Sequence, residues 1–192
     1  PQNAADTPGH PVHTVKAENR ALEALISERI RPQIAALRAG EAGAAGALAA
    51  ELKALGQLDA HYVKKEMLLF PYMEKYGITA PPKVMWGVDD EIRAMVKAAA
   101  QLAAAGDKAA ADRAEAAADK AAEMIFKEEN IMLPMLLDVL TPQEWQHIAE
   151  QSGEIGWCLI DPPPVWQAES ALPQAPEAAP QNGDVALPTG FL

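Results

Sequence analysis

The sequence predicts an all-α protein: an antiparallel four-helix bundle followed by a short extra helix and an extended, Pro-rich tail. The chain of 192 residues is rich in alanine, the best helix former. Val, Ile, Tyr and Thr never gather in the alternating runs that are typical of strands. Four long segments carry apolar residues at helical spacing, and short connections between them favour antiparallel packing of successive helices.

The first two helices are predicted at about residues 11–38 and 45–75, with glycines in the turn between them. Pro32 cannot donate to the helical ladder, so we expect it to kink the first helix or to end its first section. Gly77 is the natural C-terminal stop of the second helix.

The third and fourth helices are predicted at about residues 82–105 and 107–138. Thr141 is expected to cap a short fifth helix, with Glu144 at its third position. From Asp161 onward prolines are frequent and little could be buried, which predicts a linker. The predicted organisation is a flexible N-terminus at 1–9, a bundle at 10–160 and a linker or tail at 161–192.

Charge and cysteine content exclude several classes of partner. Lys and Arg total 16 and Asp and Glu total 27, which gives a net charge of −11 that repels nucleic acid and anionic membrane surfaces. No apolar run is long enough to span a bilayer. The single cysteine, Cys158, cannot form an internal disulfide and fits a reducing compartment. We therefore expect a cytoplasmic protein without nucleic-acid or membrane partners, and a homodimer formed through the Ala-rich fourth helix is left open.

One stretch of the sequence occurs twice. The two copies are HYVKKEMLLFP at residues 61–71 and MIFKEENIMLP at residues 124–134. Such a repeat implies two similar helix pairs around a pseudo-twofold axis, where a site is expected. The residues at the chemical positions differ: His61 and Lys65 of the first copy correspond to Met124 and Glu128 of the second.

Polar residues on the interior stripes of the helices mark the same region, because such positions are normally apolar. Asn19 lies in line with apolar residues of the first helix, and Asp89 does so in the third. Since residues i and i+4 share a helix face, His61 is expected to pair with Lys65, and Met124 with Glu128.

Several segments resemble a hemerythrin-type HHE domain. GHPVHTVKAEN, PPKVMWGVDDEIR and EIGWCLIDPP, with the two repeated stretches, are similar to a bacterial family of unknown function. Members of that family commonly carry a PAS sensor domain after the HHE segment, and the ending DVALPTGFL resembles the lead-in to it. The resemblance implies a four-helix bundle with an iron cofactor, a small gaseous or redox ligand, and a downstream PAS-type partner.

The family pattern has a His-x-x-x-Glu unit on the second and fourth helices and single histidines on the first and third. The corresponding positions here hold Asn19, His61 with Lys65, Asp89, and Met124 with Glu128. A di-iron centre needs several imidazoles and bridging carboxylates, so this set argues against one.

A histidine facing a methionine instead resembles the axial ligation of b-type haem, which we predict in the bundle core. It would be non-covalent, because no C-x-x-C-H motif is present. His10 and His13 are alternative axial ligands, Trp86 could close the cavity, and non-haem iron is the alternative cofactor. The predicted cofactor-binding residues are His61, Met124, His13, His10, Trp86 and Asn19. The predicted metal ligands are His61, Met124, His13, Glu128 and Asp89.

The leading hypothesis is therefore an iron-cofactor module that senses O2, NO or redox state. The alternative is a metal-free interaction or signalling bundle in which Lys65, Asp89 and Glu128 form a buried ionic cluster. Met124 would then be plain core and His61 a hydrogen-bonded core residue. An enzyme is least favoured, because no nucleophile has a base beside it.

Overall fold

The computed structural model describes residues 3–169, and over this range the chain is helical and contains no strand. The all-α prediction is confirmed. A short 3-10 turn at Ala4–Asp6 precedes the helices. These are α1 (11–38), α2 (Ala44–Leu55), α3 (58–75), α4 (Ala80–Ala104), α5 (110–139) and α6 (Pro142–Ile155). The ending DVALPTGFL lies outside the described residues.

Four long helical units enclose one apolar core. The helices α2 and α3, separated only by Gly56 and Gln57, together form the predicted second helix. Helix α1 packs against α2 and α5, and α4 packs against the same two helices. Helix α6 lies on α1 and α3. This arrangement is consistent with the predicted bundle, whose antiparallel order stays a prediction from the short connections.

The alanines of α5 are packed inside the chain. Ala110, Ala114, Ala117 and Ala121 are buried among the neighbouring helices. Small side chains at these positions let α5 approach α4 closely along its length. The Ala-rich face considered for a contact between two chains is therefore already used within one. No helix among residues 3–169 has both the length and the apolarity needed to cross a bilayer.

Three helices contain one turn of π-helix: Ile26–Ile30 in α1, Lys65–Leu69 in α3 and Glu128–Met132 in α5. A proline follows each turn by two residues, at Pro32, Pro71 and Pro134. Proline has no N–H, and its ring clashes with the carbonyl four residues earlier; a wider turn before it accommodates both. Of the two outcomes expected at Pro32, a kink or the end of a section, the second does not occur, because α1 continues through this residue.

The π turns of α3 and α5 fall at equivalent points of the sequence repeat. Lys65 begins the first and Glu128 begins the second, 63 residues later. The repeat in the sequence is thus also a repeat of backbone geometry.

The packed part of the chain extends beyond the predicted boundaries on both sides. Ala5, in the segment predicted to be flexible, is buried. Residues 157–168, which we call the strap, lie on the bundle, and Ala168 near its end is 1% exposed. Gly9 has φ of +93°, and a Cβ there would lie 2.2 Å from the carbonyl oxygen of Pro164, so only glycine allows this approach. Part of the predicted linker, up to Ala168, is thus packed on the bundle.

Helix α6 begins with the predicted capping box. Thr141 accepts a hydrogen bond from the Glu144 N–H at 3.2 Å, and the Glu144 carboxylate accepts one from the Thr141 N–H at 2.9 Å. We expect Thr141→Ala to lower the free energy of unfolding by about 1 kcal/mol, because the cap hydroxyl is lost. Denaturant unfolding measures this, and Thr141→Ser, which keeps the hydroxyl, should match the wild type. Equal losses in both variants would contradict the assignment.

Candidate functional site

Six ionisable side chains lie buried together in the centre of the bundle, where apolar residues are the rule. Three carboxylates face three basic groups contributed by α1, α3, α4 and α5, and none of the six residues is more than 7% exposed. We call this set the ionic cluster. Its members are Glu18, His61, Lys64, Lys65, Asp89 and Glu128.

The Glu128 carboxylate is the centre of the ionic cluster. Its Oε1 accepts hydrogen bonds from His61 Nε2 at 2.7 Å and from the side-chain amide of Asn19 at 3.1 Å. Its Oε2 accepts one from Lys65 Nζ at 2.7 Å. The same ammonium donates to Asp89 Oδ1 at 2.7 Å. One carboxylate and one ammonium thus connect four helices.

Glu18 forms the second centre. Its Oε1 lies 3.0 Å from His61 Nδ1, and its Oε2 accepts a hydrogen bond from Lys64 Nζ at 2.7 Å. The backbone N–H of Cys158, in the strap, donates to the same Oε2. Lys64 Nζ also lies 4.5 Å from the centre of the Trp157 ring. Glu18 therefore ties the strap to the interior of the bundle.

Three consecutive residues of α3, Lys64, Lys65 and Glu66, are buried where its π turn begins. In a regular helix His61 and Lys65 share a face, whereas Lys64 and Glu66 lie to either side of it. The wider turn that begins at Lys65 changes this spacing, and all four residues are buried.

Further ion pairs close the ionic cluster at its rim. Arg93 donates two hydrogen bonds to the Glu66 carboxylate, at 2.7 and 2.8 Å, which is the strong bidentate geometry. On the other side, Glu129 accepts hydrogen bonds from Asn19 and from Arg20. These pairs hold solvent away from the centre.

His61 is an imidazolium in this setting, because both ring nitrogens face carboxylate oxygens, which only accept hydrogen bonds. Burial by itself lowers the pKa of His61, but the charges and hydrogen bonds of Glu128 and Glu18 outweigh it and raise the pKa to about 9. Burial raises the pKa of Glu128, yet His61 and Lys65 reverse this and lower it to about 2. Both groups are charged at neutral pH.

Two buried oxygens among the described residues have no hydrogen-bond partner: Oδ2 of Asp89 and Oδ1 of Asn19. Burial raises the pKa of Asp89 to about 7, although Lys65 favours its ionised form. When Asp89 is ionised, the ionic cluster holds three negative and three positive charges. Protonation of Asp89 would leave the ionic cluster with one more positive charge than negative charges.

A small chamber lies beside the ionic cluster, bounded by Thr14, Glu18, His61, Lys64 and Glu128 among others. It offers about 20 Å³ to the centre of a water molecule, which is room for about one water. A haem is far larger. Both ring nitrogens of His61 are already engaged, and Met124, although buried, does not line the chamber. The residues as placed do not fit the predicted haem.

An iron centre without haem fits no better. Within residues 3–169 no three His, Cys, Asp or Glu side chains are arranged to hold a metal ion. The carboxylate oxygens of Asp89 and Glu128 that would face a cation face the ammonium of Lys65 instead. An ammonium has no lone pair and repels a metal ion, so it occupies the position as a cation of its own.

Three other predicted cofactor-binding residues, His10, His13 and Trp86, are not brought to His61. His10 caps α1, since its Nδ1 accepts a hydrogen bond from the Val12 N–H at 3.0 Å. Burial, followed by the charge of His13, lowers the pKa of His10 to about 4, so it is neutral. His13 lies half-buried in the first turn of α1, and Trp86 is 37% exposed and packs on the Phe70 ring.

Glu18 and Lys64 are the members of the ionic cluster that the sequence interpretation did not single out. Glu18 lies one turn from Thr14 and from Leu22, both of which are buried. The interior-stripe criterion that selected its neighbour Asn19 could therefore have selected it too. Nothing in the sequence relates Glu18 to Cys158, which is 140 residues away.

The shifted pKa values predict how stability depends on pH. His61 has a raised pKa, so its stabilising contribution is complete below about 6.5 and is lost as the pH rises to about 9. The loss is about 3 kcal/mol, from the size of the shift. Glu128 has a lowered pKa, so its contribution is present above about 4.5 and is lost as the pH falls to about 2. Between pH 6.5 and 9, the stability of the wild type should fall towards that of His61→Gln.

Denaturant unfolding of both proteins across this range tests the prediction. Proton NMR of the imidazoles gives a second test in the wild type alone: His61 should titrate near pH 9 and His10 near pH 4. A midpoint for His61 near its ordinary 6.5 would show that the imidazolium is not held by the two carboxylates.

Comparison with known proteins agrees with this architecture. The family model described as "Hemerythrin HHE cation binding domain" matches residues 10–136, which include α1 to α4, nearly all of α5 and the whole ionic cluster. No curated protein matches the chain. Because the family model covers most of the chain, the protein belongs to the hemerythrin HHE cation-binding domain family.

Proposed function

We propose that this chain is a metal-independent hemerythrin-like module that supplies its own cations and acts in interaction or signalling. One observation carries the proposal: Lys65 Nζ lies 2.7 Å from both Asp89 Oδ1 and Glu128 Oε2. The partner expected from the sequence resemblance is a PAS-type domain that follows in the same polypeptide.

The two built-in cations are arranged around a bridging carboxylate. Glu128 accepts from the imidazolium of His61 through one oxygen and from the ammonium of Lys65 through the other. In carboxylate-bridged metal sites of helical bundles, inward-pointing carboxylates balance the charge of two cations. Here Lys65 and His61 balance the same kind of negative charge without a metal, so the bundle core needs none to be neutral.

Buried ion pairs of this kind add little net stability over an apolar core, but losing one partner is costly. The ionic cluster therefore favours a single arrangement of α1, α3, α4 and α5, in which every charged group meets its partner. A uniquely packed, metal-free bundle with a fixed surface is suited to contact another domain.

The second candidate function is an iron-cofactor module that senses gas or redox state, which is favoured by the family and by the retained His61 and Glu128. Haem b would require His61 to release a carboxylate and the chamber to enlarge many-fold. Non-haem iron would require Lys65 to leave the site or to lose its proton. The two candidate functions therefore differ in whether the protein binds iron or haem, which can be measured.

Metal and haem binding separate them. We expect protein produced in iron-supplemented medium to contain far less than one iron per chain and to unfold at the same temperature with and without EDTA. Addition of haemin should give no stoichiometric Soret band. Stoichiometric iron, a lower unfolding temperature in EDTA or a saturable Soret band would instead establish the second candidate.

Replacing Lys65 tests the built-in cation directly. Lys65→Met leaves Asp89 and Glu128 facing one another without an ammonium, so the free energy of unfolding should fall by about 3–5 kcal/mol. Lys65→Met combined with Asp89→Asn should recover part of that loss, because one unpaired charge is removed as well. The exposed Lys16→Met is the control and should be neutral.

Denaturant unfolding in the presence of EDTA measures all four proteins. If Lys65→Met costs no more than Lys16→Met, the ammonium does not hold the ionic cluster together and the proposal fails.

A further inference from the structure

The strap lines one of two cavities that adjoin one another. The outer cavity, of about 270 Å³, lies between the strap, α6 and the start of α1. The inner one is the chamber beside the ionic cluster. Pro11, Thr14 and Ser152 line both cavities, so the two cavities adjoin one another at these residues. The strap therefore forms one wall of the outer cavity, which adjoins the chamber beside His61 and Lys64.

The inner end of the strap is attached to the ionic cluster itself. The Cys158 N–H donates to Glu18, and the Trp157 ring lies over the ammonium of Lys64. The next residue, Leu159, has φ of +59°, a conformation that is strained for a residue with a branched side chain. The Leu159 N–H donates a hydrogen bond to Gln57 Oε1 at 3.3 Å, which adds a further attachment at this end.

The outer end is attached to the N-terminal end of α1 and to α6. The Trp166 ring lies 4.7 Å from the His10 ring, and the Ala168 N–H donates to Gln146 Oε1 at 2.9 Å. Because Gly9 has no side chain, the Pro164 carbonyl can approach its backbone closely. Between the two ends the strap is weakly held, because its prolines have no N–H to donate and Val165 is 88% exposed.

We propose that the strap is a latch, hinged at Gly156, that opens as one unit and admits small solutes to the ionic cluster. Gly156 has φ of +103° and open space around it, so it permits a change of direction at no steric cost. The size of the chamber limits the solute to a few atoms. Opening withdraws the Cys158 N–H from Glu18 and the Trp157 ring from Lys64, so the latch and the ionic cluster are linked. This inference holds whether or not the cluster binds a metal.

Cys158 reports the opening of the latch. It is the single cysteine of the chain, belongs to the strap and is fully buried. Burial raises the pKa of its thiol to about 12, so it should react slowly with a maleimide while the latch is closed. Alkylation of the native 192-residue chain therefore measures how often the latch opens.

Release of the outer end should expose Cys158. Trp166→Ala removes the contact with His10, and Gly9→Ala places a Cβ against the Pro164 carbonyl; each should speed alkylation about tenfold or more. The matched control is Ile34→Ala, which weakens the core near the other end of α1. At equal loss of global stability, it should speed alkylation far less.

Release of the inner end of the strap should also speed amide exchange at its outer end. In Glu18→Gln the Ala168 amide should exchange with deuterium about tenfold faster than in the wild type, if the strap opens as a unit. Unchanged alkylation in Trp166→Ala overturns the proposal. So does equal acceleration in Trp166→Ala and Ile34→Ala, since that result would mean exposure through global unfolding. Should Glu18→Gln not fold, the alkylation series still decides the question.

Discussion

The Glu128 carboxylate, which receives His61, Lys65 and Asn19 at once, is the interaction on which the rest of the structure depends. A carboxylate at this depth is tolerated only if all its partners are present, because burial of an unpaired charge is very costly. Its partners are in turn shared, His61 with Glu18 and Lys65 with Asp89. The positions of the helices that supply these residues therefore depend on one another. A shift of any one helix would leave a buried charge without its partner.

The sequence was sufficient to locate this centre, and the reason is specific. The repeated stretch placed Lys65 and Glu128 at equivalent positions, and helical spacing placed Asn19 and Asp89 on interior faces; the structure brings all four residues together. Glu18 could not be given its role, because its third partner comes from the strap, whose packing depends on the absence of a side chain at Gly9. The haem expectation assumed a free His61, and spacing alone does not reveal that both of its nitrogens are engaged.

Membership of the family and the chemistry of the site are separate findings in this protein. The hemerythrin HHE model matches most of the chain, and the helices it describes are present. The side chains at the centre are nevertheless those of an ion-pair network, with an ammonium between two carboxylates. A fold limits where a site can be, whereas the residues grafted onto it decide what the site does. Four positions of the family pattern hold other residues here, and at one of them Lys65 supplies a positive charge where the pattern has a glutamate.

The prolines that follow the π turns have a consequence for the centre of the bundle. A π turn contains one more residue than a regular helical turn. The residues after it are therefore rotated about the helix axis by about 100° relative to their positions in a regular helix. Pro71 and Pro134 keep that extra residue in place, since the regular ladder cannot pass through them. These uncharged residues therefore help to set how the helix segments after Lys65 and Glu128 are rotated relative to the segments before them. Sequence changes at the two prolines could redirect the buried charges without altering any of them, so the geometry of the site is encoded partly outside it.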